Sequence, residues 1–530
     1  MMNDRRRFWM RLGLAVMLAG LLAGPAFAQA GNVLWQEDFE GYAENAPLDG
    51  QNGWTMLKVA DAPAAVVKSG AGLKNSRGLV LSNTKAFRSD YIGLTRTFPQ
   101  ALTGTLWIQC RFKAPAAADN WIGGFNIKSN LAGFSAGLLR EKDKPDQIRF
   151  VVPYWQGYRI HRTVPYEGGR WYTLTLKLDN ERKTYSAWVD DVELGSDLDV
   201  GAGELKSVYL SSGGKAEDPA VVDDLIITRS RPAGITERPL YPAGKPGRLF
   251  RFAAMGDPQP GLGNYAVELI HFQRAVRQVN ESGAEFTLIL GDLVHDGKVD
   301  TTYQDLAATA KSFSKPWYPV RGNHDAPEKF KKYFKPELNY SFEHKDFRFV
   351  MLDAIGGQEE LTAEQLAWVE KEFQAAKAKK QEIVVCTHVS AWDENARGVS
   401  PYMQIGPESK AKLKELYKKY DALLMLSGHY HRGPWYAQEE GMNYLVLGGT
   451  GFVRSSPTGW SVVDVYPDRL EIYTKPVFFP CEDEKTTEFY DMPYLEWRSY
   501  ESYRTGQGVA AKLHFPYLVR SPLVIKRKAR

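Results

Sequence analysis

Five short blocks of carboxylate, amide and imidazole side chains stand out in the second half of the chain. Such side chains offer the oxygen and nitrogen atoms that hard and borderline metal ions prefer. The blocks, in chain order, are Gly256-Asp257-Pro258-Gln259, Gly291-Asp292-Leu293-Val294-His295-Asp296-Gly297, Gly322-Asn323-His324-Asp325, Thr387-His388 and Gly428-His429-Tyr430-His431. Residues of these types, grouped in this way, predict a metal centre that activates water or binds an anion.

Each block directly follows a short apolar run. The runs cover residues 249–255, 286–290, 317–320, 383–386 and 423–426. Short apolar runs bounded by glycine or polar residues are typical of buried strands. Ligands of open α/β sheets bind at the carboxyl ends of the strands. We therefore expect the five blocks to meet at one edge.

Each block alone has an ordinary alternative. A single Gly-Asp pair can be a turn, and a single histidine after a strand can be a satisfied core residue. All five blocks in this order are hard to explain as turns. The set resembles the calcineurin-like metallophosphoesterases, over residues 248–478. The resemblance implies a four-layer α/β sandwich with two metal ions, in which a metal-bridging hydroxide hydrolyses phosphate mono- or diesters.

The resemblance also assigns roles to single residues. The implied ligand set is, for the first ion, Asp257, Gln259 and His431; for the second, Asn323, His388 and His429; and, bridging both, Asp292. His324 is implied to stabilise the phosphoryl group or protonate the leaving oxygen, so the catalytic pair is Asp292 and His324. Asp325 would orient this neighbourhood without binding metal. Manganese, iron and zinc all suit these ligands, as a divalent or mixed-valence pair.

Two positions depart from the family pattern. Gln259 stands where the usual motif has histidine, so a neutral amide oxygen replaces an imidazole and should weaken or harden the first site. The Asp-Pro-Gln form occurs in a subgroup that resembles protein Ser/Thr phosphatases. His295 stands where purple acid phosphatases carry a tyrosine ligand, so it is either a residue behind the ligands or a plain loop residue.

Substrate contacts are expected from two arginines near the blocks. Arg397 follows His388 by a short loop, and Arg432 follows His431 directly. Guanidinium groups bind phosphate with paired hydrogen bonds. Surface exposure without a role is the alternative for Arg397.

The N-terminal residues are predicted to form an export signal and not part of a folded domain. Arg5, Arg6 and Arg7 form a basic region, residues 12–22 are apolar, and Ala26-Phe27-Ala28 is a small-x-small cleavage site. We predict a signal peptide over residues 1–28, of the Sec or the twin-arginine type, and a periplasmic or secreted protein. An uncleaved anchor is the alternative. The formal charge of the chain is +4 and lies largely in this segment, so no nucleic-acid partner is predicted. No second apolar run is predicted to span a membrane after cleavage.

Residues 31–229 are predicted to be an all-β sandwich. Residues 106–113 and 172–178 alternate apolar and polar, and residues 184–194 suggest a hairpin turning at Asp190-Asp191. The opening Glu37-Asp38-Phe39-Glu40 and the closing residues 222–227 resemble concanavalin A-like, laminin-G-like jelly rolls, which implies a glycan-binding or spacer module. Candidate platforms for a glycan are Trp107, Trp121, Tyr154, Trp155 and Tyr158; packing in the sheet is the alternative. A carbohydrate-binding protein with a weakly active or inactive phosphoesterase scaffold is the second reading of the whole chain.

The remaining segments frame these two domains. Residues 230–247 are rich in proline and read as a linker, and residues 479–530 as a C-terminal extension whose basic end is expected to fray. Helices are predicted at 266–282, with Val267, Ile270, Ala275 and Val279 inward, at 362–380 behind a Thr362–Gln365 capping box, and at 407–420. Of three cysteines, Cys386 is predicted to be core, and pairing of Cys110 with Cys481 stays open.

Overall fold

The computed structural model describes most of the chain from residue 32 onward. The segments outside the description are 1–31, 58–64, 82–91, 114–124, 130–134, 142–143, 154–158, 166, 200–203, 213–217, 238–240, 242, 264, 393–403, 432–434, 440, 452–457, 479–494, 498–512, 516–521 and 529–530. The chain divides into two compact units, with the main division between residues 238 and 239, inside the predicted linker.

The first unit is built from antiparallel strands and one short 3-10 turn at Leu73–Asn75. Its strands are β1 Val33–Glu37, β2 Trp54–Leu57, β3 Ala65–Lys68, β4 Gly78–Leu81, β5 Ile92–Leu102, β6 Thr105–Lys113, β7 Phe125–Ser129, β8 Ser135–Glu141, β9 Lys144–Pro153, β10 Arg159–Pro165, β11 Trp171–Asp179, β12 Thr184–Val189, β13 Val192–Asp199, β14 Leu205–Ser212 and β15 Ala220–Thr228.

These strands form two sheets that share one core. The first has the order β13-β12-β11-β6-β15-β4-β3 with β1 on β15, and the second β10-β9-β8-β7-β14-β5-β2. Alternate side chains of β6, such as Leu106, Ile108 and Cys110, join Leu94 and Val208 of the other sheet in a buried cluster. The predicted all-β class is confirmed, and the predicted hairpin is β12–β13.

One predicted glycan platform is wrong. Trp107 is 3% exposed and packs with Trp188, at 5.6 Å between ring centroids, and with Ile235. Ile235 belongs to the predicted linker, which therefore covers this face of the sheet. The aromatic rings of Trp107 and Trp188 bury each other because a tryptophan on a sheet face removes a large apolar area from water. The other candidates, Trp121, Tyr154, Trp155 and Tyr158, lie outside the described residues.

The second unit alternates strands and helices. Its strands are β16 Phe250–Met255, β17 Thr287–Leu290, β18 Trp317–Val320, β19 Tyr340–His344, β20 Phe347–Met351, β21 Glu382–Cys386, β22 Leu424–Ser427, β23 Trp435–Glu439, β24 Met442–Val446, β25 Thr458–Val465, β26 Arg469–Phe478, β27 Leu495–Trp497, β28 Leu513–Phe515 and β29 Leu523–Lys526. Its helices are α1 Tyr265–Ser282, α2 Asp300–Ala310, α3 Pro327–Tyr333, α4 Ala363–Ala378 and α5 Pro407–Lys419.

Two mixed sheets make the inner layers of this unit. One has the order β18-β17-β16-β25-β26-β29 and the other β19-β20-β21-β22-β24-β23. Along β16, Phe250, Phe252 and Ala254 enter the core between the sheets, while Ala253 and Met255 pack in a second core with residues of α1, α2 and α3. Helices α4 and α5 cover the other sheet with Val369, Phe373 and Leu413, among others. The predicted α/β class with helices outside two sheets is confirmed.

The predicted helix starts and ends agree with the structure to within a few residues, and the capping box is present. The Thr362 side chain accepts the Gln365 N–H, and the Gln365 side chain accepts the Thr362 N–H. The buried face of α1 carries both apolar and polar side chains. Ala275 and Val279 are buried, but Ile270 is only partly buried, and Glu268 and His271 are buried in the first half of the helix.

The expectation of a fraying basic end is wrong for residues 526–528, and residues 529–530 lie outside the described part of the chain. Strand β29 pairs with β26, and Arg527 then bonds to residues of both sheets. Its guanidinium donates to Glu382 at 2.9 Å, to the carbonyl of Tyr466 at 2.8 Å and to Asp346 at 2.5 Å. Its side chain is 3% exposed. The tail is ordered because these acceptors come from positions far away in the sequence.

Three further predictions bear on the chain as a whole. Within the described residues, no helix is long and apolar enough to span a membrane. Cys386 is buried as predicted, and Cys110 is a buried free thiol. The predicted signal peptide and Cys481 lie outside the described residues.

Candidate metal centre

The five sequence blocks lie at the carboxyl ends of five strands, in both sheets of the second unit. In one sheet β16, β17 and β18 run parallel, and in the other β21 and β22 run parallel. The blocks follow β16, β17, β18, β21 and β22 in turn. We call this edge the site end of the unit.

One group of ligand atoms surrounds Nε2 of His388. The Nε2 atom lies 3.1 Å from Asn323 Oδ1, 3.1 Å from His429 Nδ1 and 3.3 Å from Asp292 Oδ1. Nδ1 of His388 is 2.8 Å from the carbonyl oxygen of Leu290 and therefore carries a proton, which it donates to that oxygen. A proton or a cation has to sit among Nε2 and its three neighbours, since all of them can act as acceptors.

A second group shares Asp292 with the first. Atoms of Asp257, Asp292 and His431 lie within 4.8 Å of one another, as do those of Asp292, His388 and His429. Nε2 of His431 is 3.6 Å from Asp257 Oδ1. Gln259 donates its amide N–H to Asp292 Oδ2 at 3.2 Å, and its Oε1 is buried without a hydrogen-bond partner. Asp292 thus faces both groups, one with each carboxylate oxygen.

The backbone at the site end is strained in the left-handed region. Five of the seven predicted ligands have positive φ angles: Asp257 at 43°, Gln259 at 37°, Asp292 at 46°, His429 at 75° and His431 at 31°. Non-glycine residues rarely adopt such angles, and they persist only where the surrounding structure holds them. This concentration sets these residues apart from ordinary turn residues.

The glycine before three of the ligands is required by close packing. A Cβ atom on Gly322 would stand 2.1 Å from the Asp292 nitrogen, and one on Gly428 would stand 2.6 Å from the Leu290 carbonyl oxygen. A Cβ atom on Gly291 would meet the His388 ring at 2.4 Å. Each glycine therefore allows one ligand-bearing loop to touch the next.

The similarity to known proteins covers the part of the chain that carries these residues. The profile of the family described as "Calcineurin-like phosphoesterase" matches residues 250–433. Residues 250–433 form a calcineurin-like phosphoesterase domain. The second unit therefore carries a metal-dependent phosphoesterase domain, and acid phosphatases are among the homologues of this chain.

Two relatives and one solved structure illustrate the range of this similarity. Tartrate-resistant acid phosphatase type 5 of Oryctolagus cuniculus is 26% identical over 261 residues, which cover 40% of this chain and 78% of the phosphatase. The manganese-dependent ADP-ribose/CDP-alcohol diphosphatase of Arabidopsis thaliana is 24% identical over 294 residues, which cover 42% of this chain and 90% of that protein. A dimetal phosphatase structure from Danio rerio has 14% identity and a TM-score of 0.38, covering 44% of this chain and 97% of that one.

The donor set of the phosphoesterase domain fits a pair of cations. Ligand atoms bound to one ion at about 2.1 Å stand about 3.0–3.4 Å apart, and the distances around His388 Nε2 are 3.1–3.3 Å. Gln259 Oε1, the oxygen assigned to the first ion, is buried without a hydrogen-bond partner, which is costly unless a further group meets it. Both observations suit a site completed by bound metal.

The electrostatics of the centre also suit cations. Burial raises the pKa of Asp257 well above its usual range. Burial lowers the pKa of His429 to about 3 and that of His431 to about 4, so both rings are neutral near pH 7 and keep a lone pair for metal. For His388 burial lowers the pKa, but Asp292 and Asp257 outweigh it and raise the pKa to about 9. At the bridging position, burial raises the pKa of Asp292, but His388 and His324 outweigh burial and hold the pKa below its usual range, so this carboxylate stays ionised.

His324 and His295 lie together beside this centre. The His324 backbone N–H donates to Asp292 Oδ1 at 3.0 Å, and its Nδ1 donates to the carbonyl of His295 at 2.7 Å. The two rings stack with centroids 4.8 Å apart. The Nε2 atom is then the ring nitrogen of His324 that is left for a substrate. His295 is absent from both ligand groups found among the described residues.

Asp325 ties two of the loops together. Its carboxylate accepts the backbone N–H groups of Gly322 at 2.8 Å, Leu293 at 3.1 Å and Val294 at 3.1 Å. The buried carboxylate thus fixes the loop after β17 to the loop after β18, which agrees with the orienting role predicted for it. The predicted substrate arginines, Arg397 and Arg432, lie outside the described residues.

Two buried residues of this region were missed from the sequence. Glu268 and His271 of α1 contact the loops behind Asp257 and Gln259. Their position three residues apart, on the same face as Ala275, was the available signal, because a carboxylate and an imidazole on the inward face of a helix need polar partners.

Proposed function

We propose that this protein is an exported phosphoesterase that hydrolyses phosphate mono- or diesters with two metal ions. In this proposal the first ion takes Asp257, Gln259 and His431, the second takes Asn323, His388 and His429, and Asp292 bridges them. The observation that carries the proposal is the sharing of Asp292 by two ligand groups drawn from both sheets. When bound, such a pair of ions neutralises phosphoryl charge and lowers the pKa of a coordinated water molecule.

The protein's own groups account for the rest of the reaction. The Nδ1–H of His324 is held by the His295 carbonyl, so the ring orientation is set before a substrate arrives. We assign Nε2 of His324 to donate a proton to a phosphoryl or leaving oxygen, as a general acid positioned for this purpose. The Asp325 carboxylate keeps the neighbouring loops in register. Arg397 and Arg432 remain the proposed phosphate contacts.

The substrate class follows from the relatives only in outline. One relative is named an acid phosphatase and another an ADP-ribose/CDP-alcohol diphosphatase. A panel of nitrophenyl phosphate, bis(nitrophenyl) phosphate and ADP-ribose therefore spans the substrates to test. We also propose that the domain belongs to the subgroup that resembles protein Ser/Thr phosphatases, and the Asp257-Pro258-Gln259 form supports this.

The test is turnover of this panel with added Mn²⁺ by the full chain and two variants. We expect Asp292→Asn to lose about a thousandfold and His324→Gln about a hundredfold in kcat/KM. Matched controls are Asp468→Asn, an exposed carboxylate, and His344→Gln, at the opposite end of the strands. Equal turnover of all five proteins would overturn the proposal, as would the absence of bound metal in the active protein.

Export and the role of the first unit complete the proposal. The basic residues 5–7, the apolar residues 12–22 and Ala26-Phe27-Ala28 support export with a mature start at Gln29, through either bacterial route. N-terminal sequencing of protein from the periplasm and medium tests this, and an intact Met1 in the cytoplasm would contradict it. We propose a jelly-roll spacer role for residues 31–229. Glycan binding by the full chain on an array would replace the spacer role with a targeting role.

A further inference from the structure

The inward face of α1 carries polar side chains where a helix covering a sheet ordinarily carries apolar ones. Glu268 is 2% exposed and His271 is fully buried. Burial of such groups costs free energy unless hydrogen bonds compensate for the lost water. Both residues lie in the half of the helix nearest the site end, and each contacts a different loop of that end.

Glu268 holds the loop that carries Gln259. Its Oε2 accepts the Gly261 N–H and its Oε1 accepts the Gly263 N–H, both at 2.7 Å. The loop is strained at Gln259, a non-glycine residue with φ of 37°. A single buried carboxylate therefore uses both oxygens to fix the backbone just after this proposed ligand.

His271 holds the loop that lies against Asp257. Its Nδ1 donates to the Gly451 carbonyl at 2.7 Å. The Gly451 N–H donates to the Asp257 carbonyl at 3.2 Å, and the Thr450 N–H donates to the Gly256 carbonyl at 2.8 Å. A Cβ atom on Gly451 would stand 1.7 Å from the Pro258 carbonyl oxygen, so this loop fits closely against the first ligand block.

We infer that Glu268 and His271 are positioning residues for the first metal ion, acting through the backbone of Asp257 and Gln259. The inference rests on the proposed function, since it assigns the residues that hold one of its two ion sites. The second ion site is tied to α1 less directly, because Asn323, His388 and His429 follow other strands and the His429 N–H reaches the first block through Asp257, at 3.0 Å. The two residues should therefore weaken binding of the first ion more than binding of the second.

The test is a titration of the metal-free full chain with Mn²⁺ at equilibrium. The concentration of free Mn²⁺ is measured from its electron paramagnetic resonance signal. We expect two sites in the wild type and, in Glu268→Gln, about tenfold weaker binding at one of them, since supporting hydrogen bonds typically carry such effects. The Gln side chain keeps the size but turns one acceptor into a donor facing an N–H group. Glu281→Gln on the exposed side of the same helix is the matched control.

A second pair of variants separates positioning from folding. His271→Asn keeps a donor near the place of Nδ1, whereas His271→Leu removes it. We expect Asn to restore Mn²⁺ binding and kcat to within a few-fold of wild type and Leu to weaken one site. Equal effects of Asn and Leu, unchanged binding in Glu268→Gln, or equal weakening of both sites would overturn the inference. Failure of the wild type itself to bind two ions would instead contradict the proposed function.

Discussion

The two ends of the parallel strands in the second unit differ in how their buried polar groups are arranged. At the site end, five of the predicted ligands adopt positive φ angles, and carboxylates and imidazoles converge within 4.8 Å of one another. At the opposite end, buried charges are paired. Arg251 donates to both oxygens of Asp464, at 2.6 and 2.8 Å, and to the Ser282 carbonyl at 2.6 Å.

The opposite end also joins the two sheets. Arg527, after the last strand of one sheet, bonds to Asp346 and Glu382 beside β20 and β21 of the other. The lesson of this comparison is a division of labour within one domain. The opposite end stabilises the packing of the sheets, whereas the strained site end gathers the ligand residues that, in our proposal, hold the two cations.

The largest effect is expected at the opposite end, on stability. Arg251→Met should lower the free energy of unfolding by about 3–5 kcal/mol, because it leaves the Asp464 carboxylate buried with a weakened set of partners. The unfolding transition of the second unit, induced by heat or by urea, measures this loss of stability. The kcat value should stay near that of the wild type. Arg248→Met is the control, since Arg248 contacts the same carboxylate from a more exposed position. A large fall in kcat without loss of stability would break the comparison.

Metal loading should act from the site end. Because cations bind the folded state alone, Mn²⁺ at a hundred times its dissociation constant should stabilise the protein by about 2.7 kcal/mol for each ion bound. Differential scanning calorimetry with and without chelator measures the shift. Asp292→Asn should lose most of the response while Asp468→Asn keeps it. If chelator leaves the unfolding temperature of the wild type unchanged, this result would contradict the proposal that bound metal completes the site.

Gly322→Ala, a change at the site end, should lower both the stability and the activity of the protein. The added Cβ would press on the Asp292 nitrogen and Oδ1, at 2.1 and 2.2 Å, so the loops have to move apart at a cost of about 1–3 kcal/mol. We expect kcat to fall by more than the stability change explains, because the displaced group is the shared carboxylate. Gly41→Ala, which meets nothing within 4 Å, is the control. Wild-type kcat in Gly322→Ala would show that this close packing is dispensable.

The smallest expected effect concerns the choice of metal. Gln259→His adds a nitrogen ligand to a group otherwise rich in oxygen, so preference at the first ion should move from Mn²⁺ towards Zn²⁺ by about tenfold. Competition of the two ions, followed by elemental analysis, measures the preference. Gln304→His, on the exposed side of α2, should change nothing. An unchanged preference in Gln259→His would mean that Gln259 is not a ligand.

Much of the site region was predictable because its signals are local. Every ligand block directly follows its strand, and the strands are short apolar runs that the structure places within a residue or two of the predicted bounds. The Thr362–Gln365 capping box is local in the same sense. Where prediction failed, the deciding partner was distant. Ile235 covers Trp107, Gly451 meets His271, and Asp346 meets Arg527.

The sequence by itself determined the ligand types, the strands that carry them and the order of an all-β unit before an α/β unit. It could do so because residue chemistry and hydrophobic periodicity need no knowledge of remote contacts. Only the tertiary structure decided that Asp292 faces two ligand groups, that α1 turns Glu268 and His271 inward, and that the last residues join both sheets. Those features depend on which backbone donors and carboxylates from far along the chain come within hydrogen-bond distance, and that is fixed only when the sheets pack.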